Sequence, residues 1–178
     1  LVDNDLLASA EAIDSLPDAR GVMAAPGFAG YGAPLWKPHA TASIAGLTLS
    51  HGKGEIARAM VDGIAAQVAD LLGAIAADGV AVNELRVDGG LTQSHTLMQM
   101  QADLAQVNIE VYPHPDATAM GVANLAAMAT NSALNLGDFA SAWKPSERYS
   151  PKWSADRAQS YLTKWRTLPA NAMESAHE

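Results

Sequence analysis

The stretch LRVDGGLTQSHTLMQMQADL, residues 85–104, decides the fold. Residues 85–87 form a short apolar run, and an Asp-Gly-Gly sequence follows at once. Beyond it Leu97, Met100 and Leu104 recur at intervals of three and four residues. An apolar run bounded by glycine indicates a buried strand, and this spacing indicates an amphipathic helix. The stretch therefore predicts a strand, a sharp turn and a helix.

The Asp-Gly-Gly turn is the first candidate for chemistry. Glycines let a ligand approach the backbone closely, and the start of the following helix favours an anion. A nucleotide would fit against Gly89 and Gly90. Asp-Gly is also common in turns with no function, so a purely structural role is the alternative. No G-x-x-x-x-G-K-[ST] sequence occurs, which excludes a P-loop.

Strand and helix patterns alternate on both sides of this turn. Residues 21–26, 43–49 and 107–113 resemble strands, while apolar spacing from Ile56 to Ile75 predicts a helix of about 22 residues. Residues 116–134 are rich in alanine and glycine, and we expect a helix there, packed closely on a sheet or another helix. Asp116 or Thr118 is expected to cap it. The alternation predicts an α/β domain with helices layered on a sheet.

Composition limits the classes of partner. The chain has 178 residues, a formal charge of −8 and only 11 lysines and arginines, which argues against nucleic acid. The absence of cysteine excludes disulfides and thiolate zinc sites, so we expect the cytoplasm. No signal peptide or run of about 20 apolar residues is evident, which predicts no membrane association. Since the first residue is leucine, we expect a longer chain.

Other candidate side chains have simpler interpretations. In the loop of residues 27–42, Tyr31, Trp36 and Lys37 are candidates to line a cleft, but an anchoring role in the core is favoured for Trp36. The five histidines show no metal-ligand spacing, and we expect no metal site. Asp88 is assigned to the turn in preference to magnesium. Glu55, Asp62 and Asp70 lie along the predicted long helix and form no convincing acid/base pair, and Glu55 is expected to pair with Arg58 on a solvated face. Met98 and Met100 are expected to fill the core.

A family resemblance extends over about residues 20–130. Four stretches carry it in order: GFAGYGAPLWKP (27–38), IAGLTLSHGKGEIARAMVDGIAAQVADLL (44–72), LRVDGGLTQSHTLMQMQADL (85–104) and DATAMGVANLAAM (116–128). Together they resemble the C-terminal domain of the FGGY carbohydrate kinases, most of all the glycerol kinases. Ten residues agree with the family's second signature: Ala42, Ile44, Gly46, Leu47, Glu55, Ile56, Ala59, Met60, Val61 and Asp62.

The resemblance implies a fold and a division of the chain into domains. It implies an RNase H-like (actin-like ATPase) domain, the second of two such domains in a complete kinase. Residues 1–20 are then the end of a preceding helical segment, 21–150 the nucleotide-side domain, and 151–178 a C-terminal helix and tail. It also implies that Gly89 and Gly90 approach ATP by their backbone. Ser94 stands where glycerol kinases commonly present an asparagine to the adenine end.

The implied activity is transfer of the γ-phosphoryl group of Mg-ATP to a hydroxyl of glycerol, giving glycerol 3-phosphate. The resemblance places the catalytic base upstream, so no catalytic residue and no metal ligand is assigned here, and the chain alone is expected to be inactive. The family often forms homodimers or homotetramers. A kinase for another polyol or ketose, such as xylulose or ribulose, and a non-catalytic actin-like nucleotide-binding module remain alternatives. Lys37 and Thr41 replace an aspartate and an arginine usual in glycerol kinases.

Overall fold

The computed structural model describes residues 13–114, 116–141 and 144–169. Residues 13–15 are helical, and the rest of the predicted opening helix lies outside the described residues. The elements in chain order are β1 (Met23–Ala25), β2 (Ser43–Ala45), α1 (Lys53–Ala77), β3 (Glu84–Val87), α2 (His95–Ala105), β4 (Asn108–Val111), α3 (Ala117–Thr130), α4 (Leu136–Ser141), β5 (Glu147–Tyr149) and α5 (Ala155–Trp165). The predicted mixture of strands and helices is confirmed.

Two small sheets carry the strands. β1 and β2 pair antiparallel, whereas the second sheet has the order β3-β4-β5. β3 and β4 run parallel, with Leu85 opposite Ile109 and Val87 opposite Val111. Their carboxyl ends therefore meet at one edge of the sheet, next to the Asp-Gly-Gly turn. β5 pairs antiparallel with β4 and was not predicted, since its three residues show no apolar alternation.

The core forms where α1 and α2 pack together. Both helices contribute buried residues of small or flexible shape, among them Ala65, Ala66, Met98 and Met100. The two methionines are 2% and 3% exposed, which confirms their assignment to the core. By length and apolarity alone, α1 would also suit a membrane span, with a mean hydropathy of 1.5 over 18 residues. Here its alanine face is packed against protein.

α5 closes the core from a third side. The Trp165 side chain is 1% exposed, and its indole Nε1–H donates to the Ala24 carbonyl oxygen at 2.8 Å. Residue 165 is thus tied to β1 across 141 positions of sequence. The proposed boundary at residue 150 stays a prediction.

The environment of α3 differs from the expectation. No residue of this helix is buried, and Met120, Val122 and Leu125 are 40%, 64% and 60% exposed. Asp116 occupies the N-cap position, but its side chain makes no capping hydrogen bond. The predicted close packing is therefore wrong for the described residues. Alanine favours helix whether or not it is buried, so its abundance indicated the helix correctly and the packing incorrectly.

Candidate functional site

The Asp-Gly-Gly turn has a defined backbone shape. Gly89 has φ of +96°, in the left-handed region that favours glycine. Residues Gly90–Gln93 then form one turn of 3₁₀ helix. The amide and the hydroxyl of Thr92 both donate to the Gly89 carbonyl oxygen, at 3.1 and 2.7 Å. The turn is thus fixed by its own hydrogen bonds.

Gly90 presents an uncovered stretch of backbone. A Cβ built at this position would have no described heavy atom within 4 Å, and its φ lies outside the left-handed region. The conformation therefore does not require glycine, and the surrounding protein does not exclude a side chain. A glycine here leaves space through which a ligand can approach the main chain.

Ser94 begins the helix that follows the turn. Its hydroxyl oxygen accepts a hydrogen bond from the Leu97 amide at 3.2 Å, which makes Ser94 the N-cap of α2. Because the oxygen acts as the acceptor, the hydroxyl proton can still be donated to a ligand. The capping role and the predicted ligand contact are therefore chemically compatible.

A cavity of about 250 Å³ lies beside the turn. One wall consists of residues of the turn, including Gly89, Gly90 and Gln93, and the other follows the ends of β4 and β5. On that second wall the rings of Tyr112 and His114 meet edge to face, with centroids 5.7 Å apart. Ligands of α/β folds bind at the carboxyl ends of parallel strands, which is the position of this cavity.

A hydrogen-bonded chain of three side chains adjoins the cavity. His95 Nδ1 and the Tyr149 hydroxyl lie 2.6 Å apart, and the Tyr149 hydroxyl donates to the Glu147 carboxylate. Burial and the neighbouring Glu147 charge raise the pKa of Tyr149. Since Glu147 also lines the cavity, the chain links the start of α2 to the cavity wall. Sequence reasoning missed it, because the pairing joins positions 54 residues apart.

The loop of residues 27–42 does not lie as expected. Tyr31 is buried, but Trp36 is 74% exposed and has a φ of +51°. The predicted anchoring of Trp36 in the core is therefore wrong. Tyr31 pairs with Lys37 in an antiparallel bridge, and Leu35, not Trp36, packs against the core.

Two acidic residues of α1, Glu55 and Asp62, form ion pairs other than the one expected from the sequence. Glu55 pairs with Arg20 at 3.1 Å, whereas Arg58 pairs with Asp62 at 2.8 Å. The expected pair of Glu55 and Arg58 is thus wrong. Asp62 is 3% exposed, and its burial raises the pKa of the carboxyl group, an effect that Arg58 opposes.

The described residues contain no cluster of candidate metal ligands. Among them, no three His, Cys, Asp or Glu side chains converge in a way that would hold a metal ion. The Asp88 side chain is exposed beside the turn. His177 falls outside the described residues.

Sequence comparison identifies related proteins. The family model described as "FGGY family of carbohydrate kinases, C-terminal domain" matches residues 2–130. Glycerol kinases from Bordetella parapertussis and Verminephrobacter eiseniae are 40% and 42% identical over 153 and 156 residues. Each alignment covers 85% of this chain and 30% of the relative. The chain therefore spans about a third of the length of these relatives.

Structural comparison gives the same grouping. The structure of Plasmodium falciparum glycerol kinase with ADP aligns at a TM-score of 0.85 and 26% identity, over 97% of this chain and 34% of that chain. Xylulose kinase from Rhodospirillum rubrum aligns at 0.81 and 23% identity, over 97% and 35% of the two chains. At 23% identity, the similarity to the xylulose kinase concerns the fold alone.

Proposed function

Since the chain belongs to the FGGY family of carbohydrate kinases, as their C-terminal domain, we propose that it is the nucleotide-binding half of an ATP-dependent glycerol kinase. The reaction is transfer of the γ-phosphoryl group of ATP to a hydroxyl of glycerol, giving glycerol 3-phosphate. The main observation that supports a nucleotide site in this half is the uncovered Gly90 backbone beside the cavity. Relatives at about 40% identity favour glycerol over xylulose or ribulose, and a kinase over a non-catalytic module.

Three residues are proposed to hold the nucleotide. Gly89 and Gly90 would contact it through the backbone, and Ser94 would donate its hydroxyl proton. The cavity of about 250 Å³ is large enough for part of a nucleotide and offers polar and aromatic walls. Because a cap at Ser94 fixes the helix start, the contacts would be preorganised.

The rest of the catalytic machinery is assigned to regions outside these 178 residues. We propose that the carboxylate that takes the hydroxyl proton lies in the part of the relatives that this chain does not match. Magnesium would enter with the nucleotide phosphates, since the described acidic residues form no cation cage. The chain alone is then inactive. A cytoplasmic location and a homodimeric or homotetrameric assembly belong to the same proposal.

Calorimetric titration with Mg-ADP tests the nucleotide site. Gly90→Val fills the approach to the backbone without a clash in the protein, so the fold is retained and affinity falls by at least about tenfold. Gly32→Val is the matched control, because a Cβ there also meets nothing within 4 Å and Gly32 does not line the cavity beside Gly90.

The proposal is refuted if Gly90→Val and Gly32→Val bind Mg-ADP as tightly as the unaltered chain does. For the activity, glycerol-dependent ADP release is measured in the complete kinase that carries this chain. Turnover at a typical kinase rate by the 178 residues alone would contradict the assignment of the base to another region.

A further inference from the structure

Helix α5 carries a face of hydrogen-bond donors beside its core-packing face. The core-packing residues are Ala158, Leu162 and Trp165. The donors occupy positions i, i+3, i+4 and i+7, which places them on one side of a helix. They are Arg157, Ser160, Tyr161 and Lys164. All four line the same cavity.

This cavity has a volume of about 530 Å³ and lies between α5, the segment of residues 18–23 that leads into β1, and Arg58 and Asp62 of α1. Four cationic side chains line it, against two carboxylates. Arg20 and Arg58 are paired with the carboxylates of Glu55 and Asp62. The remaining positive charge comes from Arg157 and Lys164, against Asp18, and favours an anionic ligand in a chain with a net charge of −8. The charged wall residues are Arg20, Arg58, Arg157, Lys164, Asp18 and Asp62.

The two carboxylates already have donors. Asp62 accepts from the Arg58 guanidinium at 2.8 Å, and Asp18 accepts from the backbone amide of Arg20 at 2.7 Å. Arg20 is in turn engaged with Glu55 at 3.1 Å. These groups therefore form the fixed wall of the cavity.

Three donors on α5 have no acceptor among the described residues. The Arg157 guanidinium lies over the Trp153 ring, 3.8 Å from its centroid, which leaves the edge of the guanidinium open to a ligand. Lys164 forms no ion pair within the described part of the chain. The Tyr161 hydroxyl is buried and, in the same part of the chain, has no hydrogen-bond partner. A buried hydroxyl without a partner is unfavourable, so an acceptor at this place would stabilise the arrangement.

We propose that this cavity binds a phosphate group, either as free phosphate or as part of a small phosphomonoester. A stacked arginine provides parallel N–H donors that suit phosphate oxygens, and lysine adds a second positive charge. The Tyr161 hydroxyl donates to a third oxygen. The cavity has more room than a single phosphate requires, which allows an organic substituent. This site is separate from the nucleotide turn and does not depend on the function proposed above.

Nuclear magnetic resonance titration of the isotopically labelled chain tests the site. The probes are inorganic phosphate and β-glycerophosphate, each added at constant ionic strength maintained with chloride. We expect saturable shifts of the Arg157 side-chain Nε–H and of the Tyr161 and Lys164 amides. The probe that binds more tightly shows whether the cavity prefers free phosphate or a phosphomonoester. Absence of saturable binding of both probes overturns the proposal.

Three substitutions separate binding from folding. Lys164→Gln is expected to lower the affinity by about tenfold, whereas the matched control Lys53→Gln, at an exposed lysine outside the cavity, leaves it unchanged. Tyr161→Phe removes a hydroxyl that lacks a described partner, so thermal stability is retained while affinity falls. Equal affinities in the two lysine variants, or loss of stability without loss of affinity in Tyr161→Phe, would overturn the proposal.

Discussion

Replacing Gly63 by alanine is expected to destabilise the fold, although this change usually stabilises a helix. Gly63 faces β1 from the middle of α1. A Cβ at position 63 would lie 2.3 Å from the Ala24 carbonyl oxygen and 2.8 Å from Cδ of Pro26. Neither atom belongs to a flexible side chain, so the helix or the strand must move.

The magnitude follows from three opposing contributions. Helix propensity favours alanine by about 1 kcal/mol, but overpacking a well-filled core costs about 1–3 kcal/mol. The Ala24 oxygen also accepts the Trp165 indole N–H, and disturbing that bond costs about 1 kcal/mol. We therefore expect a net loss of about 2 kcal/mol in the free energy of unfolding, which lowers Tm by about 6 °C for a chain of this size.

Thermal unfolding followed by circular dichroism measures this loss against a control in the same helix. Gly73 is exposed, and a Cβ there meets nothing within 4 Å. Gly73→Ala should consequently gain about 1 kcal/mol and raise Tm by about 3 °C. If both substitutions raise Tm equally, the close approach of α1 to β1 is not present and the reasoning fails.

Four further substitutions at three positions probe the core, a buried charge and the cap. Trp165→Phe should lower the free energy of unfolding by about 2 kcal/mol in urea denaturation, because it leaves the Ala24 oxygen without its donor. Burial raises the pKa of the Asp62 carboxyl group, so the folded chain binds the carboxyl proton more tightly than the unfolded chain does. The free energy of unfolding therefore falls as pH rises from 3.8 through the raised pKa. Asp62→Asn should remove this pH dependence when unfolding is measured at varied pH. Ser94→Ala should cost about 1 kcal/mol through loss of the cap, whereas Ser94→Asn should retain stability and bind Mg-ADP more tightly in calorimetry.

Local sequence patterns predicted what local interactions determine. The strand, turn and helix around Gly89 follow from apolar spacing and glycine, and the structure places each of them. β5 and its Tyr149 contact could not be predicted in this way, because their partners are distant in sequence. Trp36 shows the same limit: its size and apolarity favoured a place in the core, but the structure leaves it 74% exposed, at a loop position with φ of +51°.

Ser94 is compatible with the proposed nucleotide site although its side chain is shorter than that of asparagine. Asparagine and serine are both good N-caps, so either residue starts α2 at the same point. Serine reaches less far, however, and its oxygen is already occupied by the Leu97 amide. In the proposed nucleotide site the ligand contact would therefore rest mainly on the Gly90 backbone and the adjoining cavity wall, with the Ser94 hydroxyl proton as a secondary donor. It follows that Gly90→Val should reduce nucleotide affinity more than any change at Ser94.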